Sequence, residues 1–144
     1  SIKCYKLDNN KFKCITSIKA HDWYINKMII LKDKRLATVS NDKSIKIWED
    51  SGNYNYKCMQ ILGDNSSWVV SIAETRDGLL ITGAIDKTIK IWAKLLDHYV
   101  CVCTFIGHQG GYAEDIIQLN IDTPLSNNKL ELIKSSILIS FSAE

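Results

Sequence analysis

The sequence predicts an all-β fold in which one four-stranded unit is written repeatedly along the chain. The phrase NDKSIKIWED at Asn41–Asp50 returns as IDKTIKIWAK at Ile85–Lys94, 44 positions later. The match is wider than that phrase. KRLATVSNDKSIKIW at Lys34–Trp48 lies over GLLITGAIDKTIKIW at Gly78–Trp92, and FKCITSI at Phe12–Ile18 lies over YKCMQIL at Tyr56–Leu62 and YVCVCTF at Tyr99–Phe105. Each repeat holds four short runs rich in β-branched and aromatic residues, separated by turn signals. No long helical period is visible, and the only proline, Pro124, lies outside every such run.

Taken in order, SIKCYK at the start lies over SIKIWE, with Tyr5 in the place of Trp48. Residues 1–18 therefore predict the third and fourth strands of one unit. Residues 21–62 predict a whole unit with strands at Ile25–Leu31, Leu36–Ser40, Ser44–Trp48 and Tyr56–Leu62. Residues 65–105 predict a second, with strands at Val69–Ala73, Leu79–Ala84, Thr88–Trp92 and Tyr99–Phe105. Residues 108–144 predict the first two strands of a last unit, since LISFSAE at Leu138–Glu144 lies over LATVSND and LITGAID. A polar interruption of about 120–136 separates those two strands. The expected tally is 2+4+4+2 strands. In SIKIW, Ile45 and Ile47 share one face, against Ser44, Lys46 and Trp48, so both faces of the sheet need cover. A period of 43–44 falls within the ~40–45 residues of a four-stranded propeller blade.

Together these residues resemble a WD-repeat β-propeller. The resemblance implies a hydrogen-bonded tetrad in many blades: a His before the first strand, a Ser or Thr in the second, an Asp in the next turn and a Trp in the third. His21, Thr38, Asp42 and Trp48 occupy those places in the first whole repeat, and Thr82, Asp86 and Trp92 in the second, where Asn65 replaces His. His108 and Ser140 match in the last, with Glu144 where Asp is expected. The dipeptide that names the family is not kept: Trp48 precedes Glu49, and Trp92 precedes Ala93. The expected fold is a partial propeller of about three blades' worth of strands. Propellers need roughly four to eight blades to close. The remaining blades are expected from a longer chain of which this is a segment, with a second copy as the alternative.

The totals narrow the function. Hydrophobic content of 46% and charged content of 24% describe a globular chain, and a net charge of +2 gives no strong field towards nucleic acid or membrane. Positive charge comes from 16 Lys and 2 Arg, whereas base readers favour the forked donors of Arg. No apolar run approaches the ~18 residues of a membrane helix. Five cysteines are an odd number, and Cys14, Cys58 and Cys101 recur once per repeat, so they mark a structural slot rather than a disulfide framework. An intracellular, cytoplasmic protein is expected, with a nuclear location open.

Catalysis needs a nucleophile, a base and an orienting group that converge. His21 and His108 are taken by the tetrad slot, and His98 beside Asp97 is expected in a loop. Cys101 and Cys103 alternate onto one face near His108, but a fourth metal ligand is lacking. No phosphate-cradling Gly loop occurs. Neither catalytic residues nor a cofactor nor a metal is expected. What stands out is the face shared by the fourth-to-first and second-to-third connections, the usual docking surface of the resembled family. It holds Asn41 and Ile85 and the aromatics Trp23, Tyr24, Trp68 and Tyr112. Such rings are typical interface anchors, and packing between blades is their other use. The expected function is a non-enzymatic scaffold that binds other proteins in a multisubunit assembly. The outer-strand phrases YKC and YVCVCTF also resemble the cytosolic iron–sulfur assembly WD-repeat family, which implies an adaptor role. An RNA-associated propeller is a further alternative from another class.

Overall fold

The structure is a computed structural model that describes residues 1–63, 65–106, 113–119 and 137–142, the last two stretches by their backbone. Twelve strands and no helix occur among the described residues. They are β1 (Ile2–Asp8), β2 (Lys11–Ile18), β3 (Ile25–Ile30), β4 (Leu36–Ser40), β5 (Ile45–Asp50), β6 (Tyr56–Leu62), β7 (Val69–Glu74), β8 (Leu80–Ala84), β9 (Thr88–Leu95), β10 (His98–Ile106), β11 (Ala113–Leu119) and β12 (Ile137–Ser142). They form sheets of two, four, four and two strands: β1-β2, β3-β4-β5-β6, β7-β8-β9-β10 and β11-β12. All the neighbouring strands whose register is described run antiparallel.

The chain divides into two compact units, Ser1–Val69 and Val70–Glu144. In the first, β1-β2 packs on β3-β4-β5-β6 through a core of Ile2, Ala20, Leu36 and Trp48, joined by Cys4, Ile18, Ile25, Tyr56 and Cys58. Trp48 fills that core while Ile45 and Ile47, on the other face of β5, are fully buried. In the second unit, Leu79, Ile81, Ile89, Ile91 and Ala93 form the core, with Ala73 and Cys103 against it. The central strands β4 and β8 are buried along their whole length.

The repeated phrase has a conformational cause. In both copies the Lys of the turn takes a left-handed backbone, Lys43 at φ 68° and Lys87 at φ 69°. The Asp before it accepts the amide two residues on: Ser44 N–H donates to Asp42 Oδ1 at 3.0 Å, and Thr88 N–H to Asp86 Oδ1 at 3.0 Å. This Asx turn fixes the reversal from second to third strand at a left-handed position that otherwise favours glycine. The turn before it reuses one slot too, with Lys34 at φ 68° and Gly78 at φ 80°.

Each outer strand carries an extra residue at the same place. The register slips past Ile15 in β2, Met59 in β6 and Val102 in β10. These are β-bulges, which twist a strand and leave one residue out of the ladder. The repeat cysteine precedes each of them. Cys14, Cys58 and Cys101 donate through Sγ to the carbonyls of Thr16, Gln60 and Cys103 at 3.5, 3.6 and 3.5 Å. The slot thus has a mechanical role in the bulge.

Candidate functional site

The first unit brings His21, Thr38, Asp42 and Trp48 together. Trp48 Nε1 donates to Thr38 Oγ1 at 2.9 Å, and Thr38 Oγ1 lies 2.7 Å from His21 Nε2. His21 Nδ1 lies 2.8 Å from Asp42 Oδ2. With the proton on Nδ1, His21 donates to Asp42 and accepts from the Thr38 hydroxyl, so every polar atom along the line has a partner. The His21 and Trp48 rings meet edge to face, with centroids 6.4 Å apart. Burial lowers the pKa of His21 despite the upward pull of Asp42, which keeps the ring neutral. Partial burial of Asp42 works against its charge. The Ser44 hydroxyl, His21 and the Ser44 amide outweigh it and hold Asp42 at about 2.

Three side chains that sequence reasoning passed over complete the network. Ser44 Oγ donates to Asp42 Oδ1 at 2.6 Å. Thr88 repeats this on Asp86 at 2.5 Å, so a hydroxyl kept at one slot was a visible signal. Lys46 Nζ donates to Ala20 O at 2.7 Å, just ahead of His21. Asn26 sits at the register slip of β3 and donates to Asn41 Oδ1 at 2.6 Å and Val69 O at 2.8 Å. Its counterparts along the repeat are Val70 and Glu114, so nothing in the repeat pointed to it.

In the second unit Trp92 Nε1 donates to Thr82 Oγ1 at 2.9 Å, as Trp48 does to Thr38. Asn65, which stands in the His slot, is buried in the first unit and spends its amide on the carbonyls of Lys43 and Leu62, at 3.1 and 3.5 Å. His108, Tyr112, Glu144 and the interruption at 120–136 lie outside the described residues. Ser140 lies in β12, in register with Ile116.

Two expectations are corrected. His98 is the first residue of β10, opposite Leu95, because a tight turn through Leu96 (φ 53°) lets both strands run to their ends. Cys101 and Cys103 do not share a face, because the bulge at Val102 breaks the alternation. Cys101 is exposed with Sγ 3.6 Å from Thr104 Oγ1, whereas Cys103 packs on the core. All five cysteines are free thiols. Among the described residues no group of three or more His, Cys, Asp or Glu is placed to hold a metal, and no helix is long and apolar enough to cross a membrane.

Trp23, Tyr24 and Trp68 are 63, 75 and 45% exposed, large values for such rings. The loop that carries the first two is pinned at both ends. Asp22 N–H donates to Asp42 Oδ2 at 3.2 Å, and Asn41 N–H to Tyr24 O at 3.0 Å. His21, Asp22, Trp23, Tyr24 and Ile25 line an open depression of about 550 Å³ with Ser1. Asn41 is half-buried and occupied by Asn26 and Tyr24, so it supports the loop more than it displays itself. Ile85 is half-buried.

Four-stranded antiparallel sheets repeated at blade length, with a Trp–Thr bond at one slot in both copies, define a propeller-blade repeat. The model of the family described as WD domain, G-beta repeat, matches residues 12–49 and 56–93, more than half of the chain. Each match begins on an outer strand and ends within the third strand of the next sheet. The chain belongs to this WD-repeat family. A search of curated proteins finds no match to it.

Proposed function

We propose that the chain is a non-enzymatic scaffold that binds another protein, within a multisubunit assembly, through the face carrying Trp23, Tyr24 and Trp68. The observation that carries this is the pinned loop: two large rings stand in solvent while hydrogen bonds hold the backbone on either side of them. An anchor whose conformation is set before binding loses little freedom on association. WD repeats generally serve as protein-interaction platforms, and the histidine nearest this face is neutral and committed to Thr38 and Asp42. A cytoplasmic location accords with five unpaired thiols. The narrower reading as an iron–sulfur assembly adaptor rests on the outer-strand cysteines, and their shared role at the bulges makes them a feature any such repeat could use.

The test is a quantitative pull-down with the parent chain and with a Trp23→Ala/Tyr24→Ala variant. Proteins retained by the parent and lost by the variant, at an unchanged Tm, support the reading. An identical set for both overturns it.

A further inference from the structure

We propose that the β1-β2 hairpin is a second, separate interaction surface, built to receive an acidic peptide segment that also bears an apolar side chain. Lys6 and Lys13 stand directly opposite each other in the β1-β2 register. Like charges in that position are destabilising. The same slot is resolved differently elsewhere: Glu49 faces Lys57 across β5-β6, and Ala93 faces Val100 across β9-β10. Only the first hairpin puts two cations there. Lys11 follows opposite Asp8, and Lys3 adds a further positive charge on β1. All four lysines are exposed, and Lys6, Lys11 and Lys13 form no ion pair among the described residues. The hairpin therefore maintains a net positive tip, with Asp8 against Lys6, Lys11 and Lys13, at a cost to its own stability.

The tip also has an apolar component. Phe12 is 75% exposed, and Lys11, Phe12 and Lys13 line an open depression with Asp8 and Asn9. Left-handed Asn9 and Asn10 close the turn beside it (φ 46° and 62°). By alternation Phe12, opposite Leu7, lies on the other face of the ribbon from Lys11 and Lys13, so a carboxylate-rich peptide with a Phe or Leu would meet all three along the edge of β2. The Asp8 carboxylate can accept a peptide backbone N–H, a donor that a phosphate chain lacks. The patch spans only a hairpin tip, shorter than the groove that tracks a nucleic-acid strand. This surface does not depend on the Trp23 face, and either reading can fail alone.

The experiment measures fluorescence anisotropy of a fluorescein-labelled peptide of Glu-Glu-Phe repeats with the purified chain at low and physiological salt. Lys13→Glu should weaken binding about tenfold or more. It should also raise Tm by about 1–3 °C, because it turns a like-charge pair into an ion pair. Lys57→Glu makes the same charge change on another sheet and should leave binding unaltered. Binding that survives Lys13→Glu, an equal loss in Lys57→Glu, or no binding by the parent overturns the proposal. So does tighter binding to an RNA oligonucleotide of equal charge or to phosphatidylserine vesicles.

Discussion

Trp48 donates its indole proton to Thr38 at 2.9 Å, and the same hydroxyl lies 2.7 Å from His21. Thr38 is fully buried, so water cannot replace it. Thr38→Val keeps the shape and leaves two polar partners without a bond, at a cost of about 2–4 kcal/mol. Thr82→Val removes the partner of Trp92 at the equivalent place. If the Thr82 hydroxyl serves Trp92 alone, its loss should cost about half as much. Urea unfolding of the two variants provides the comparison.

Asp42 accepts from His21, from both the amide and the hydroxyl of Ser44, and from the amide of Asp22. Asp33 pairs with Arg35 two residues on, whose side chain is only 11% exposed. Asp42 serves four donors against the one residue that Asp33 serves, so Asp42→Ala should lower Tm more than Asp33→Ala, with about 1.5–3 kcal/mol expected for the first. Equal midpoints would show that the line from Trp48 to Asp42 adds nothing to stability.

The network also sets a pH dependence. His21 is neutral in the fold because burial lowers its pKa below 6.5. The unfolded chain binds the extra proton first, so stability falls as pH drops below about 6.5. Asp42 titrates at about 2 in the fold against 3.8 without it. Its contribution is present above 3.8 and is lost as pH falls towards 2. Both act in one direction. Tm should be level between about pH 7 and 8 and decline on acidification, and the gap between the parent and Asp42→Asn should close between pH 4 and 2.

Thiol reactivity should follow exposure. Cys14 and Cys101 are exposed and should react with a chromogenic disulfide reagent first. Burial pushes the pKa of Cys58 up, and burial with Asp50 and Cys14 does the same to Cys4, so both should lag at neutral pH. Uniform rates for all four would mean that the cores around Cys4 and Cys58 open readily.

The repeat made most of the fold legible, because a period and an alternation report burial directly. The runs at Leu36–Ser40 and Tyr56–Leu62 are the strands β4 and β6, end to end. What escaped was whatever depends on one residue out of step. A bulge adds a residue without changing composition, so the split of Cys101 from Cys103 could not be seen. The turn at Leu96 carries no glycine or proline to mark it. Asn26 works through its bulged position, which no periodic reading contains. The Lys6–Lys13 opposition needed a register between two strands, and a register comes from pairing rather than from either strand alone.

The displaced residues Ile15, Met59 and Val102 bear on solubility. An outer strand with a continuous row of free backbone groups is a template onto which another molecule can add a strand, and stacking of that kind ends in aggregates. At all three outer strands the row is interrupted at the same point, beside the residue that carries the thiol. A neighbour in register on one side of the kink is out of register on the other. Removing Met59 or Val102, which would straighten the edge, should therefore raise the tendency to form fibrils.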